Sequence, residues 1–142
     1  MPGWMTLHYK LPSKPSARRV YIWRKLKRLG AILLHDAVWV LPDAPKTAEQ
    51  FQWLVAEIQE MGGEAYFWKS DLVSGVQENT LIEQFIRQVD VMYSKLLGRL
   101  KHHKPDLMEI SRYYQQAASQ DYFQSPIGER VRRKLLALRG EE

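Results

Sequence analysis

The order of elements in this 142-residue chain predicts an α+β fold, a ferredoxin-like βαββαβ antiparallel sheet with a C-terminal helical extension. Three observations carry that prediction. Residues 4–69 run as strand, helix, strand, strand, helix, strand. Tight punctuation at Gly30, at His35-Asp36 and at Gly62-Gly63 keeps the connections short. Beyond residue 73 the apolar spacing becomes helical throughout. The expected division is therefore a ferredoxin-like domain over residues 1–73 and a helical extension over residues 74–142, packed on the first part or dimerising it.

Each element has a local reason. Trp4 to Leu11 alternates in polarity, with Met5, Leu7, Tyr9 and Leu11 on one side, and Pro12 and Pro15 end it as a strand. Ser16 is an N-cap candidate for a helix over Ala17 to Leu29, which Gly30 stops in the C′ position. Ala31 to Leu34 and Ala37 to Leu41 are too short for helices, and His35-Asp36 between them predicts a hairpin. Thr47 followed by Gln50 has the capping-box spacing for a helix to about Met61, after which Gly62-Gly63 leads into a strand at Glu64 to Lys69.

The extension opens after a Ser/Asp/Gly loop over residues 70–77. Leu81, Phe85, Val89, Met92, Tyr93, Leu96 and Leu100 share one face of a helix of roughly 25 residues that Lys104-Pro105 ends. Asp106 caps a helix to about Ser119, and Ser125-Pro126 caps a last one ending near Arg139-Gly140.

Composition bounds the function. Twenty-one Lys and Arg against 16 Asp and Glu give a net charge of +5, a modest lean towards polyanionic partners. There is no cysteine, hence no disulfide framework and no thiolate nucleophile or metal site. No apolar run approaches the roughly 18 residues of a membrane span, and the N-terminus lacks the layout of a signal peptide. A cytoplasmic protein without membrane contact is the expectation. No Ser-His-Asp set, carboxylate pair or phosphate-cradling glycine loop is visible, so no catalytic residue is assigned and an enzyme is not expected. His102-His103 point in different directions on a helix, and no metal site or resident cofactor is assigned.

The first helix carries the functional signal. At about 100° per residue, Val20, Ile22, Trp23, Leu26 and Leu29 fill one broad side, and Arg18, Arg24, Lys25 and Arg28 fill the other with Tyr21 among them. Cations take phosphates and a ring stacks or wedges, so this face suits nucleic acid. It also suits the solvated side of a half-buried helix, the reading that this helix taken alone favours. Arg19 falls inside the apolar arc, where it is either buried against an acidic partner or, as expected, snorkelling out to stack on Trp23. The start of this helix, at Ser16, Arg18 and Arg19, is a candidate site for an oxyanion. On the second helix Phe51, Leu54, Val55, Ile58 and Met61 form a core stripe. Trp53 points the other way and is assigned to an interface, with the helical extension or a second subunit.

Two stretches, LHYKLPSKPSARRVYIWRKLKRLGAILLHDAVWVLPDAP and EQFQWLVAEIQEMGGEAYFW, resemble the N-terminal domain of the ChrB family, densely over residues 4–71. Asp121-Tyr122-Phe123 is similar to that family's aspartate-aromatic-aromatic step. The phrase RVYIWRKLKRLGAILLHDAVWVLP is also similar to a segment of PaaX-type repressors, where it belongs to a ferredoxin-like domain akin to small CRISPR-associated endoribonucleases.

The resemblance implies a transcriptional regulator linked to chromate resistance, binding double-stranded promoter DNA as a homodimer, with chromate as the oxyanion effector at Ser16, Arg18 and Arg19. Arg18, Arg19 and Arg24, supported by Lys25 and Arg28, are then the DNA contacts. The alternative it implies is a scaffold or sensor partner of a separate ChrB C-terminal-type protein, without DNA. A metal-dependent nuclease is disfavoured, because Tyr9-Lys10-Leu11-Pro12 lacks the acidic residue such enzymes carry after the first strand.

Overall fold

A computed structural model describes residues 3–140. The elements are β1 (Trp4–Lys10), α1 (Ser16–Leu29), β2 (Ile32–Leu34), β3 (Val38–Pro42), α2 (Pro45–Glu60), β4 (Glu64–Ser70), α3 (Gly75–Leu100), α4 (Leu107–Ala118) and α5 (Pro126–Leu138). The four strands form one antiparallel sheet in the order β2-β3-β1-β4. Both α1 and α2 therefore connect parallel strands across an intervening one, and right-handed crossovers place both helices on the same face. This is the ferredoxin-like arrangement.

The register is set by alternation. Leu7 pairs with Trp39 and Phe67, and Met5 with Leu41, so these side chains share the helix-covered face. With Ile22, Leu26, Phe51, Leu54 and Ile58 they are among the buried apolar residues of the first unit, Phe67 being only half-buried. The hairpin closes on His35 and Asp36, whose φ angles of 53° and 61° give the two left-handed residues of a type I′ turn. Ala37 N–H donates to Leu34 O across it at 3.1 Å. Gly30, with φ 81°, ends α1 as its sequence position predicts.

Both helix starts differ from the expectation. Pro15, in an extended conformation, occupies the N-cap of α1, and Ser16 is the first helical residue with no capping bond from its side chain. In α2 the helix begins two residues before Thr47, with Ala44 as N-cap and Pro45 at N1. Thr47 is the third helical residue. Its hydroxyl accepts the Ala44 N–H at 2.9 Å and donates to the Pro42 carbonyl, which holds the strand-to-helix turn from inside.

The chain resolves into two compact units, one running to Glu78 and the other starting at Asn79. In the first, the Trp4 indole donates to the Glu78 carboxylate at 3.1 Å, both side chains being buried. The second holds its own core, with Val89, Tyr93, Leu96, Leu97 and Leu100 against Ile110, Ala117, Val131 and Leu135.

Asp106 and Ser125 cap α4 and α5 through bonds to Glu109 N and Ile127 N. Asp121, of the aspartate-aromatic-aromatic step, accepts the Tyr93 hydroxyl at 2.9 Å and the Ser125 N–H at 3.0 Å, and Ser125 in turn donates to Asp90. Tyr122 and Phe123 pack against the Phe85 ring at 6.0 and 5.9 Å. That step is thus the joint between α3 and α5. On the solvated side of α5, hydrogen bonding from Arg132, with Arg133 beside it, pulls the Glu129 carboxyl down to about 2.

Candidate functional site

Helix α1 has the sequence SARRVYIWRKLKRL, six cations and no carboxylate. Only Ile22 and Leu26 are buried, two of the five residues of the stripe that its periodicity suggests. Val20 and Trp23, expected in the core, are 44% and 50% exposed. A helix seated on a sheet by two side chains leaves most of its circumference to solvent, and here that circumference is cationic.

The exposed surface has two sides. On one, Ala17, Val20, Tyr21, Arg24, Lys25, Arg28 and Leu29 face α2, whose Gln50, Trp53, Leu54 and Glu57 complete a groove of about 870 Å³. Glu57 anchors it. Its carboxylate accepts the Tyr21 hydroxyl at 2.6 Å and Lys25 Nζ at 2.8 Å, and the Lys25 ammonium lies 5.0 Å from the Tyr21 ring centre. Burial pushes the Glu57 carboxyl up, but the bonds from Lys25 and Tyr21 outweigh it and leave it lowered. The same bond to Glu57 raises Lys25. Three cations against one carboxylate leave the groove positive.

Arg18 lies at the end of this side and donates from Nη1 to Met61 O at 3.0 Å. Met61 is the C-cap of α2, so a guanidinium meets the negative end of a helix dipole. On the other side of α1 stand Arg19, Trp23 and Lys27, all exposed. The ammonium over the Trp23 ring, at 5.9 Å, belongs to Lys27, which overturns the expected stacking of Arg19 there. Arg19 is neither buried nor part of the core. Its charge acts on Tyr9 of β1, whose hydroxyl is raised by burial and pulled back by a Trp39 bond and by Arg19.

Of the residues predicted to contact DNA, the fold therefore gathers Arg24, Lys25 and Arg28 on the groove wall. Arg18 stands at the groove's end and Arg19 on the far side. The suggested anion site at Ser16, Arg18 and Arg19 is not gathered in the same way, since its two arginines reach different neighbours. Trp53 is 65% exposed and belongs to the groove lining. Sequence reasoning missed Glu57 and Gln50. Glu57 lies four residues after Trp53 and Gln50 three before it, so extending the Trp53 face along α2 finds both.

It also missed a ring cluster on the sheet. His8, Tyr66 and Trp68 have ring centres 5.4 to 6.4 Å apart. The Trp68 indole donates to His8 Nε2 at 2.7 Å. The alternation of Thr6, His8 and Lys10 against Tyr66 and Trp68 was the available signal.

Fold and groove together define a small α+β module with a cationic, partly aromatic helix surface. A family model described as Protein ChrB, N-terminal, matches residues 19–110, from α1 into α4. The chain belongs to that family. Protein ChrB of Cupriavidus metallidurans is 29% identical over 76 residues, which are 54% of this chain and 24% of that protein. The chain thus aligns with about a quarter of that relative's length. No solved structure matches it. No helix among the described residues is long and apolar enough to cross a membrane.

Proposed function

We infer that this chain is a non-enzymatic DNA-binding module of a ChrB-type regulator of chromate resistance, acting in the cytoplasm. It grips double-stranded DNA through α1, chiefly by phosphate contacts. One observation carries this reading: a 14-residue helix with six cations, no acid and only two buried side chains. Mere solvation of a helix face is served by mixed charges, and α1 has only one sign. Arg24 and Arg28 lie one turn apart on the groove side, while Arg19 and Lys27 extend the charge around the helix, a spread suited to successive phosphates.

Lys25 contributes less than its position suggests, because Glu57 already holds it. The test is a mobility-shift titration on the DNA upstream of the protein's own gene. An Arg24→Glu/Arg28→Glu variant is expected to lose binding by tenfold or more, each lost charged contact being worth about 1–3 kcal/mol. Equal affinity of variant and parent would refute the assignment.

A further inference from the structure

Phosphate contacts need cations; they do not need an apolar trough beside them. The groove between α1 and α2 has one. Val20, Leu29 and Leu54 give it aliphatic walls, and Trp53 stands mostly exposed along it. Its volume of about 870 Å³ is that of a small-molecule site, which runs from about 300 to 1,000 Å³.

The polar groups in it are few and placed. Arg24 and Arg28 line the α1 wall. Tyr21 and Lys25 occupy the Glu57 carboxylate. Gln50 lies in the lining with its Oε1 buried and without a hydrogen-bond partner. An amide oxygen only accepts, so it does not serve the anionic head of a ligand, which falls to the arginines.

We propose that this groove binds an amphiphilic anion. Its apolar body lies along Val20, Leu29 and Leu54 against the Trp53 ring, and its carboxylate, sulfonate or phosphate head meets Arg24 and Arg28. A bare tetrahedral oxyanion satisfies the arginines and leaves the apolar walls wet, so the groove selects against it. The site stands without DNA binding. Where both hold, ligand and DNA compete for the same two arginines.

The test uses the full chain, without DNA, and two fluorescent probes with one apolar skeleton. 8-Anilinonaphthalene-1-sulfonate carries the anion, and N-phenyl-1-naphthylamine lacks it. The parent is expected to bind one sulfonate dye per chain, at least tenfold more tightly than the neutral dye, the worth of a charge-assisted contact. Arg24→Gln/Arg28→Gln should abolish that preference, and Trp53→Ala should weaken both dyes. All three side chains face the groove, and circular dichroism checks that the variants fold.

Equal parent affinity for the two dyes would overturn the proposal, as would a preference that survives the arginine substitutions. So would sulfonate binding that fades as protein concentration rises, which would mean that a second copy fills the groove. Failure of DNA binding leaves all of these readouts unchanged.

Discussion

Glu57 on α2 accepts the Tyr21 hydroxyl at 2.6 Å with one carboxylate oxygen and Lys25 Nζ at 2.8 Å with the other, so one acid clamps two residues of α1. Among the described residues it is the only acid in the groove lining, and the clamp spends it on two groups of the same wall.

Replacing Glu57 with Gln should therefore raise DNA affinity. The substitution frees Lys25 and removes one negative charge beside the proposed phosphate path, and a gain of about three- to tenfold at low salt is expected from one added phosphate contact. Stability should fall by less than about 1 kcal/mol, because the pair is partly exposed. Anisotropy titrations and thermal melts read the two effects separately. Weaker DNA binding by a folded variant would contradict the placement.

In the second unit, burial pushes the Tyr122 hydroxyl up to about 12. Burial first, and then the bond to Asp121, raise Tyr93 as well. Both phenols keep their protons in the fold at pH values where the unfolded chain ionises. The Tyr122 contribution is full below the ordinary phenol value of about 10 and is lost as pH rises through its folded value of about 12. Tyr122→Phe should lose less stability between about pH 9 and about pH 11 than the parent, measured by urea unfolding. An identical loss in both proteins would show that Tyr122 ionises freely.

Asp121 joins α3 to α5 by accepting from Tyr93 and Ser125. Asp121→Ala leaves a buried phenol and a cap N–H without their acceptor and should cost about 1–3 kcal/mol. The urea midpoint of the second unit measures it. A change within about 0.5 kcal/mol, the range of ordinary surface substitutions, would reduce the aspartate-aromatic-aromatic step to surface chemistry.

Two glycines should behave oppositely. A Cβ on Gly63 would lie 2.5 Å from the Lys10 carbonyl and 2.9 Å from Ile58 Cγ2, so Gly63→Ala forces α2 and β1 apart. A loss of about 1–3 kcal/mol is expected. Gly98, exposed within α3, has nothing within 4 Å of such a Cβ, and Gly98→Ala should stabilise by up to about 1 kcal/mol. Thermal melts of both variants decide this pair.

What was legible in the sequence was what the backbone encodes locally. Gly30, the His35-Asp36 turn and the Asp106 and Ser125 caps each act within a few residues. The helix starts at Pro15 and Ala44 were misplaced because Ser16 and Thr47 have capping chemistry one and three positions too late. Thr47 applies its hydroxyl from inside the helix instead.

The width of the α1 core stripe was not legible. Angular position puts Val20 and Trp23 near Ile22 and Leu26, but how much of a helix a sheet covers depends on the packing of the two. The groove was half legible. Arg24 and Arg28 share a face of α1, as Trp53 and Glu57 share a face of α2, yet only the fold sets those faces against each other. Arg19 resolves as an exposed cation whose neighbour is a strand tyrosine, a relation no helical pattern contains.

The central claim, that α1 grips phosphates through Arg24 and Arg28, is tested most directly by the salt dependence of DNA affinity. Parent and Arg24→Glu/Arg28→Glu variant are titrated against one duplex across a range of salt concentrations. The log-log slope should be about −3 to −4.5 for the parent, corresponding to roughly three to five phosphate contacts, and flatter by about 2 in the variant. A parent slope near zero, or the same slope in both proteins, would contradict the account.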